Sequence, residues 1–264
     1  MGKNLIAVIL TATLFCPAAS GAAKGEDSHQ QDEATRGATE VEADTSASAV
    51  AGEAPPAEKK RVGVVLFPGF EVLDVYGPVE MWGYVPGFEL VTVAEKAGPV
   101  ESSHGIETVA EHSFDSAPEL HLLLVPGGAG TRSAMQDPKM LDFLRSRHAE
   151  AELTTSVCTG ALLLAAAGIL DGREATSNKL HFQLARESSD AVKWIEEARG
   201  VDDGAVVTSS GVTAGMDMAL YIIERLYGET LAERLAHGTE YVWNRDPSND
   251  PFAAPARQQQ GGGS

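Results

Sequence analysis

The chain alternates between short, continuous apolar runs and longer segments in which apolar residues recur at helical spacing. Arg61–Phe67 and His121–Val125 are runs of the first kind, Phe88–Ala94 and Ala205–Ser209 read as further strands, and Thr154, Thr155 and Val157 form a β-branched lead-in. Continuous apolar runs, rather than alternating ones, predict strands buried on both faces, as in a parallel sheet. Arg173–Ser177 predicts a further short strand. Between these runs, Pro78 fits the first turn of a helix through Met81 and Trp82. Asp137 is a candidate N-cap for a helix from Pro138 to His148. The Ala/Leu-rich segment after Cys158 reads as helix until Gly168. Leu180–Glu187, Thr213–Leu226 and Thr230–His237 predict three more, whereas Gly98–Val109 lacks helical period and predicts a hairpin. Strand and helix alternating over short connections predict an α/β fold: a mostly parallel sheet flanked by helices on both faces.

The ends of the chain carry a different pattern. Lys3, an apolar run from Leu5 to Phe15 and the small residues around Ala18–Ala23 form an export signal, so residues 1–23 are expected to be a signal peptide and the protein periplasmic or extracellular. The run is too short for a membrane span. Phe15 fits poorly as the residue before a lipidated Cys16. Residues 24–60 are acidic and almost without large apolar side chains, which predicts a disordered linker. Residues 257–264 predict a disordered tail, leaving residues 61–256 as one folded domain. The formal net charge of -18 argues against nucleic acid as a partner. Of two cysteines, Cys16 leaves with the signal peptide, so Cys158 has no internal disulfide partner.

Cys158 therefore needs its own account. A strand, a sharp turn and a helix with a nucleophile-capable residue at the turn describe a nucleophile elbow, where the helix start favours a thiolate. The structural alternative is a small apolar residue closing a buried strand. In parallel sheets the ligand crevice lies beyond the carboxyl ends of the strands. Asp74, Gly127-Gly128 and Cys158 all follow strand ends and can converge there. A thiol nucleophile needs a proton-handling group, for which Asp74 is the candidate, and donors for developing negative charge, for which the backbone N–H groups of Gly128 and Thr159 are candidates. Asp74 has a second reading as the cap of a helix beginning near Gly77, and Gly127-Gly128 as a plain strand terminator. No P-loop or dinucleotide fingerprint follows those glycines. His104, His112, His121, His148, His181 and His237 show no metal-site spacing, and Thr159 rather than His follows Cys158. Trp82, Tyr84 and Asn178 are candidates for pocket walls.

These motifs, in this order, resemble the DJ-1/PfpI superfamily: Phe67-Pro-Gly-Phe-Glu-Val-Leu-Asp74-Val-Tyr-Gly-Pro78, Leu124-Val-Pro-Gly-Gly128, Ser156-Val-Cys158-Thr-Gly-Ala, the stretch Gly168–Thr176 and the stretch Thr208–Leu220. The resemblance spans nearly all of residues 61–252 and implies a flavodoxin-like sandwich. Within the superfamily the Leu-Asp-Val-Tyr-Gly-Pro and Val-Cys-Thr-Gly forms resemble isonitrile hydratases and the ligand domains of AraC-type regulators. The hydratase resemblance implies Cys158 as nucleophile, Asp74 as acid and base, and Thr159 as the hydroxyl that helps hold acid and water. Gly127, Gly128 and Asn178 are the expected oxyanion and substrate contacts. It implies a small-molecule substrate, no cofactor and a homodimer. Glyoxalase-type members commonly carry His where this chain reads Ala175-Thr-Ser-Asn178, and peptidase-type members carry Cys-His where it reads Cys158-Thr159. The activity implied is hydration of an isonitrile to an N-substituted formamide; the alternative is a non-enzymatic ligand- or redox-sensing domain.

Overall fold

The computed structural model describes residues 59–253. The expected signal peptide, most of the acidic linker and the tail at 257–264 lie outside the described residues. Seven strands make the main sheet, in the order β10-β11-β7-β6-β1-β2-β5. They are β1 (Lys60–Val65), β2 (Phe88–Ala94), β5 (His112–Ser113), β6 (Leu122–Val125), β7 (Leu153–Ser156), β10 (Gly200–Asp203) and β11 (Val206–Ser209). All neighbours pair parallel except β10, which pairs antiparallel with β11. β3 (Gly98–Glu101) and β4 (Glu107–Ala110) form the expected hairpin outside the sheet.

Seven helices occur among the described residues: α1 (Val72–Gly83), α2 (Thr131–Ala134), α3 (Pro138–Glu150), α4 (Gly160–Ala166), α5 (Phe182–Ser188), α6 (Ala214–Tyr227) and α7 (Glu229–Gly238). They pack as two groups, α1 with α6 and α7, and α2, α3 and α5 around α4. The result is an α/β sandwich. β6 and β7 are buried at every position, as continuous apolar or β-branched runs require. Asp137 caps α3 as expected, its side chain accepting the Lys139 amide.

The differences from the sequence reading have local causes. α1 begins at Val72, so Pro78 lies inside the helix and Asp74 sits in its first turn rather than at a cap. An interior proline costs about 3 kcal/mol. Burial of Val75, Met81 and Trp82 repays it, at roughly 1.5–3 kcal/mol per large side chain. The strand expected at Arg173–Ser177 shrinks to β8 (Glu174–Ala175), which leaves the main sheet and pairs with β9 (Lys193–Trp194). β10, Gly-Val-Asp-Asp, has no apolar run to reveal it; it is an edge strand recruited by pairing with β11.

Candidate active site

Four neighbouring parallel strands, β11, β7, β6 and β1, end on the same side and deliver the site from their carboxyl ends. β7 is followed by Val157 and then Cys158, whose φ is 59°. A left-handed backbone is uncommon outside glycine and marks a position held by its surroundings. The holding groups are explicit. The Cys158 amide donates to the Ser210 carbonyl at 2.8 Å, and the Cys158 carbonyl accepts from the Ser177 hydroxyl at 2.9 Å. The helix behind the cysteine starts so close to β6 that a Cβ on Gly160 would run into the Val125 carbonyl.

Asp74 comes in from α1 with its carboxyl fully buried. One oxygen, Oδ2, accepts the Gly127 amide at 2.9 Å. The other, Oδ1, is buried without a hydrogen-bond partner among the described residues. Burial dominates its acidity, lifting Asp74 from 3.8 to about 7; the Glu71 charge adds to the rise, while the Gly127 amide and the Cys158 thiol oppose it. The expectation that the helix start would make Cys158 acidic fails. Burial first, and the Asp74 carboxylate second, push the thiol from 9.0 up to about 12, against donors from the Thr159 amide, the Asn178 side chain and the Val212 amide. α4 has only seven residues, and its first amide does not offset a buried sulfur beside a carboxylate. In the free protein the shared proton therefore rests on sulfur.

The glycines occupy different posts from those expected. The Gly127 amide is taken by Asp74, and the Gly128 amide donates to Thr159 Oγ1 at 3.1 Å, so neither is free for a substrate oxygen. A Cβ on Gly127 would lie 2.6 Å from the Thr159 amide nitrogen, which is why glycine stands there. Thr159 Oγ1 also bonds Thr131 Oγ1 at 2.9 Å, fixing its hydroxyl beside the nucleophile. Asn178 lies on the sulfur, and its Oδ1 accepts the His181 amide at 3.1 Å.

Cys158, Thr159, Thr131, Gly128 and Asn178 line a cleft of about 470 Å³, whose walls include Leu162, Leu184, Ala129 and Val212 and whose remaining lining includes Glu71, His104, Arg132 and His181; Asp74 and Gly127 are not in that lining. No histidine is among the groups acting on the sulfur. Trp82 stands fully buried in the core with its indole N–H on the Ala219 carbonyl at 3.2 Å, and neither it nor Tyr84 lines the cleft. Sequence reading missed Val212 and Ser210, which act through their backbones. The Ser209-Ser-Gly-Val stretch after β11 was the available signal, since it too follows a strand end. Among the described residues no His/Cys/Asp/Glu cluster is arranged to hold a metal ion, and no helix is long and apolar enough to cross a membrane.

Comparison with known proteins points the same way. The DJ-1/PfpI family model matches residues 60–225. An isonitrile hydratase of Pseudomonas putida is 38% identical over 183 residues, covering 69% of this chain and 78% of that protein. The HTH-type transcriptional regulator GbdR of Pseudomonas aeruginosa is 27% identical over 190 residues, covering 69% of this chain and 51% of the regulator. The crystal structure of a ThiJ/PfpI family protein from Pseudomonas syringae superposes with a TM-score of 0.65 at 36% identity, covering 74% of this chain and 78% of that one.

Proposed function

The chain belongs to the DJ-1/PfpI family, and from that premise we propose that it hydrates a small electrophile at Cys158, in the manner of an isonitrile hydratase. The observation that carries the reading is the buried Asp74 carboxyl, raised to about 7 and carrying an oxygen without a partner, in direct interaction with a thiol that no histidine serves. A carboxyl that titrates near neutrality can both take and return a proton.

The steps balance as follows. The Cys158 thiol gives its proton to Asp74 while sulfur attacks the terminal carbon of the isonitrile. Asp74 returns that proton to the same carbon, giving a thioimidate, R–N=CH–S–Cys158. Water, deprotonated by Asp74 and oriented by the Thr159 hydroxyl, adds to the thioimidate carbon. Asp74 passes the proton taken from water to the nitrogen, the carbon–sulfur bond breaks as the new hydroxyl becomes the carbonyl, the hydroxyl proton goes to sulfur, and R–NH–CHO leaves. Asn178 and the Thr159 and Val212 amides stabilise the charge that builds on sulfur as the proton departs. Asn178 cannot act as a base, which weighs against glyoxalase chemistry.

A second reading, a ligand- or redox-sensing domain, is favoured by one observation. A thiol raised to about 12 is a slow nucleophile until something in the cleft changes its surroundings. Incubation of the full chain and of Cys158→Ala with isonitriles, methylglyoxal and simple amides separates the two. Formamide from isonitriles with the parent alone supports hydration, whereas no Cys158-dependent product from any of them supports sensing. Two further expectations belong to the same proposal. The protein is exported, tested by cell fractionation, and it is a homodimer, tested by sedimentation.

A further inference from the structure

The chain's last described stretch, after α7, runs back across the ends of β10 and β11 through a series of specific bonds. The Tyr241 hydroxyl and the Asn244 amide both donate to Asp217 Oδ1, at 3.0 and 2.9 Å. The Arg199 and Gly200 amides donate to the Pro247 carbonyl at 2.8 and 3.1 Å. The Asp250 amide donates to the Glu197 carbonyl at 2.7 Å. Asp250 itself is buried, and its Oδ2 accepts the hydroxyl of buried Ser210. Ser210 is the residue whose carbonyl receives the Cys158 amide.

The opposite side of the elbow closes the frame. Ser177, which holds the Cys158 carbonyl, is followed two residues later by buried Lys179. The Lys179 ammonium donates to the Thr176 hydroxyl at 2.7 Å and to the Ser177 and Ala198 carbonyls at 3.3 and 2.5 Å, and the Asp250 carboxylate acts on it electrostatically. Asp250 on one clamp and Lys179 on the other are both buried and attract one another electrostatically. A non-glycine residue at φ 59° keeps that backbone only while both clamps hold.

We infer that Asp250 is a positioning residue for Cys158: by fixing Ser210 it aims the thiol at Asp74, so the segment from Tyr241 to Ala253 is part of the catalytic frame. The chemistry it serves is the proposed hydration, but its effect on Cys158 can be read without any isonitrile. The test measures the rate at which methyl methanethiolsulfonate, a small thiol reagent, modifies Cys158 in the full chain, beside kcat and KM for an isonitrile and the melting temperature.

Asp250→Ala and Ser210→Ala are each expected to lower the modification rate and kcat about tenfold or more, with KM within about twofold, since a nucleophile displaced by a fraction of an ångström loses such factors. The double variant should fall no further than the worse single one. Asp250→Asn, which still accepts the Ser210 hydroxyl, should stay within about threefold of the parent. If Asp250→Ala does not fold, Ser210→Ala decides alone, because it removes one hydroxyl and leaves Asp250 with Lys179. Modification rates within twofold of the parent in folded alanine variants would overturn the inference. Normal losses in modification rate, with no isonitrile hydrated by the parent, would sink the hydratase reading and leave this one standing.

Discussion

Asp74→Asn separates the cost of the site from its use. A carboxyl whose acidity moves from 3.8 in the unfolded chain to about 7 in the native one opposes folding once it ionises. The stability it permits is fully present below pH 3.8 and is lost as the pH rises through 7. A difference of about three pH units corresponds to roughly 4 kcal/mol when complete. About a third of that has already accrued at pH 5, so the loss between pH 5 and pH 8 is roughly 2–3 kcal/mol. Asparagine keeps an oxygen for the Gly127 amide and carries no charge. The variant should therefore gain on the parent between pH 5 and pH 8 by roughly 2–3 kcal/mol, or about 5–10 °C in melting temperature for a domain of this size. Isonitrile turnover should meanwhile fall 10²–10⁴-fold, the usual worth of a positioned acid–base group. Urea or thermal unfolding of both proteins at the two pH values gives the difference of differences, in which constant effects of the substitution cancel. The same stability change at pH 5 and pH 8 would refute the account of Asp74 as a buried carboxyl ionising near neutrality.

Other expectations follow from the same geometry. Turnover by the parent should rise with pH to a plateau with a midpoint near 7, because only ionised Asp74 can take the thiol proton; a flat pH–rate profile would count against that role. Gly127→Ala places a methyl 2.6 Å from the Thr159 amide and should cost about 1–3 kcal/mol of stability together with most of the activity, read by urea unfolding and formamide formation. Asn178→Ala removes one donor from the sulfur and should slow Cys158 modification by roughly three- to tenfold at pH 7, with a fold unchanged by circular dichroism.

Much of this was legible before any coordinates. The runs at β1 and β6 announce a parallel sheet because strands buried on both faces are largely apolar, and the topology then brings their carboxyl ends together. Asp74 and Cys158 could be nominated because each follows such an end. What the sequence could not show are quantities set by neighbours remote along the chain. The loss of Cys158 acidity depends on how deeply the sulfur lies and on Asp74 standing beside it, 84 positions earlier by number, whereas the local pattern suggested only a helix start. Gly127 and Gly128 read as open amides because the acceptors that occupy them, Asp74 and Thr159, come from other elements. Pro78 read as a helix start because the burial that carries α1 past it is tertiary.

The central claim, that Cys158 joins covalently to the substrate carbon, has a direct test. The full chain is mixed with an isonitrile, quenched in acid within milliseconds to seconds, and its mass measured intact and after digestion. The account predicts a transient adduct on the peptide carrying Cys158, heavier by the mass of one isonitrile, that rises and decays as formamide appears. Formamide accumulating at the full rate with no such adduct at any time, or from Cys158→Ala as fast as from the parent, would contradict it.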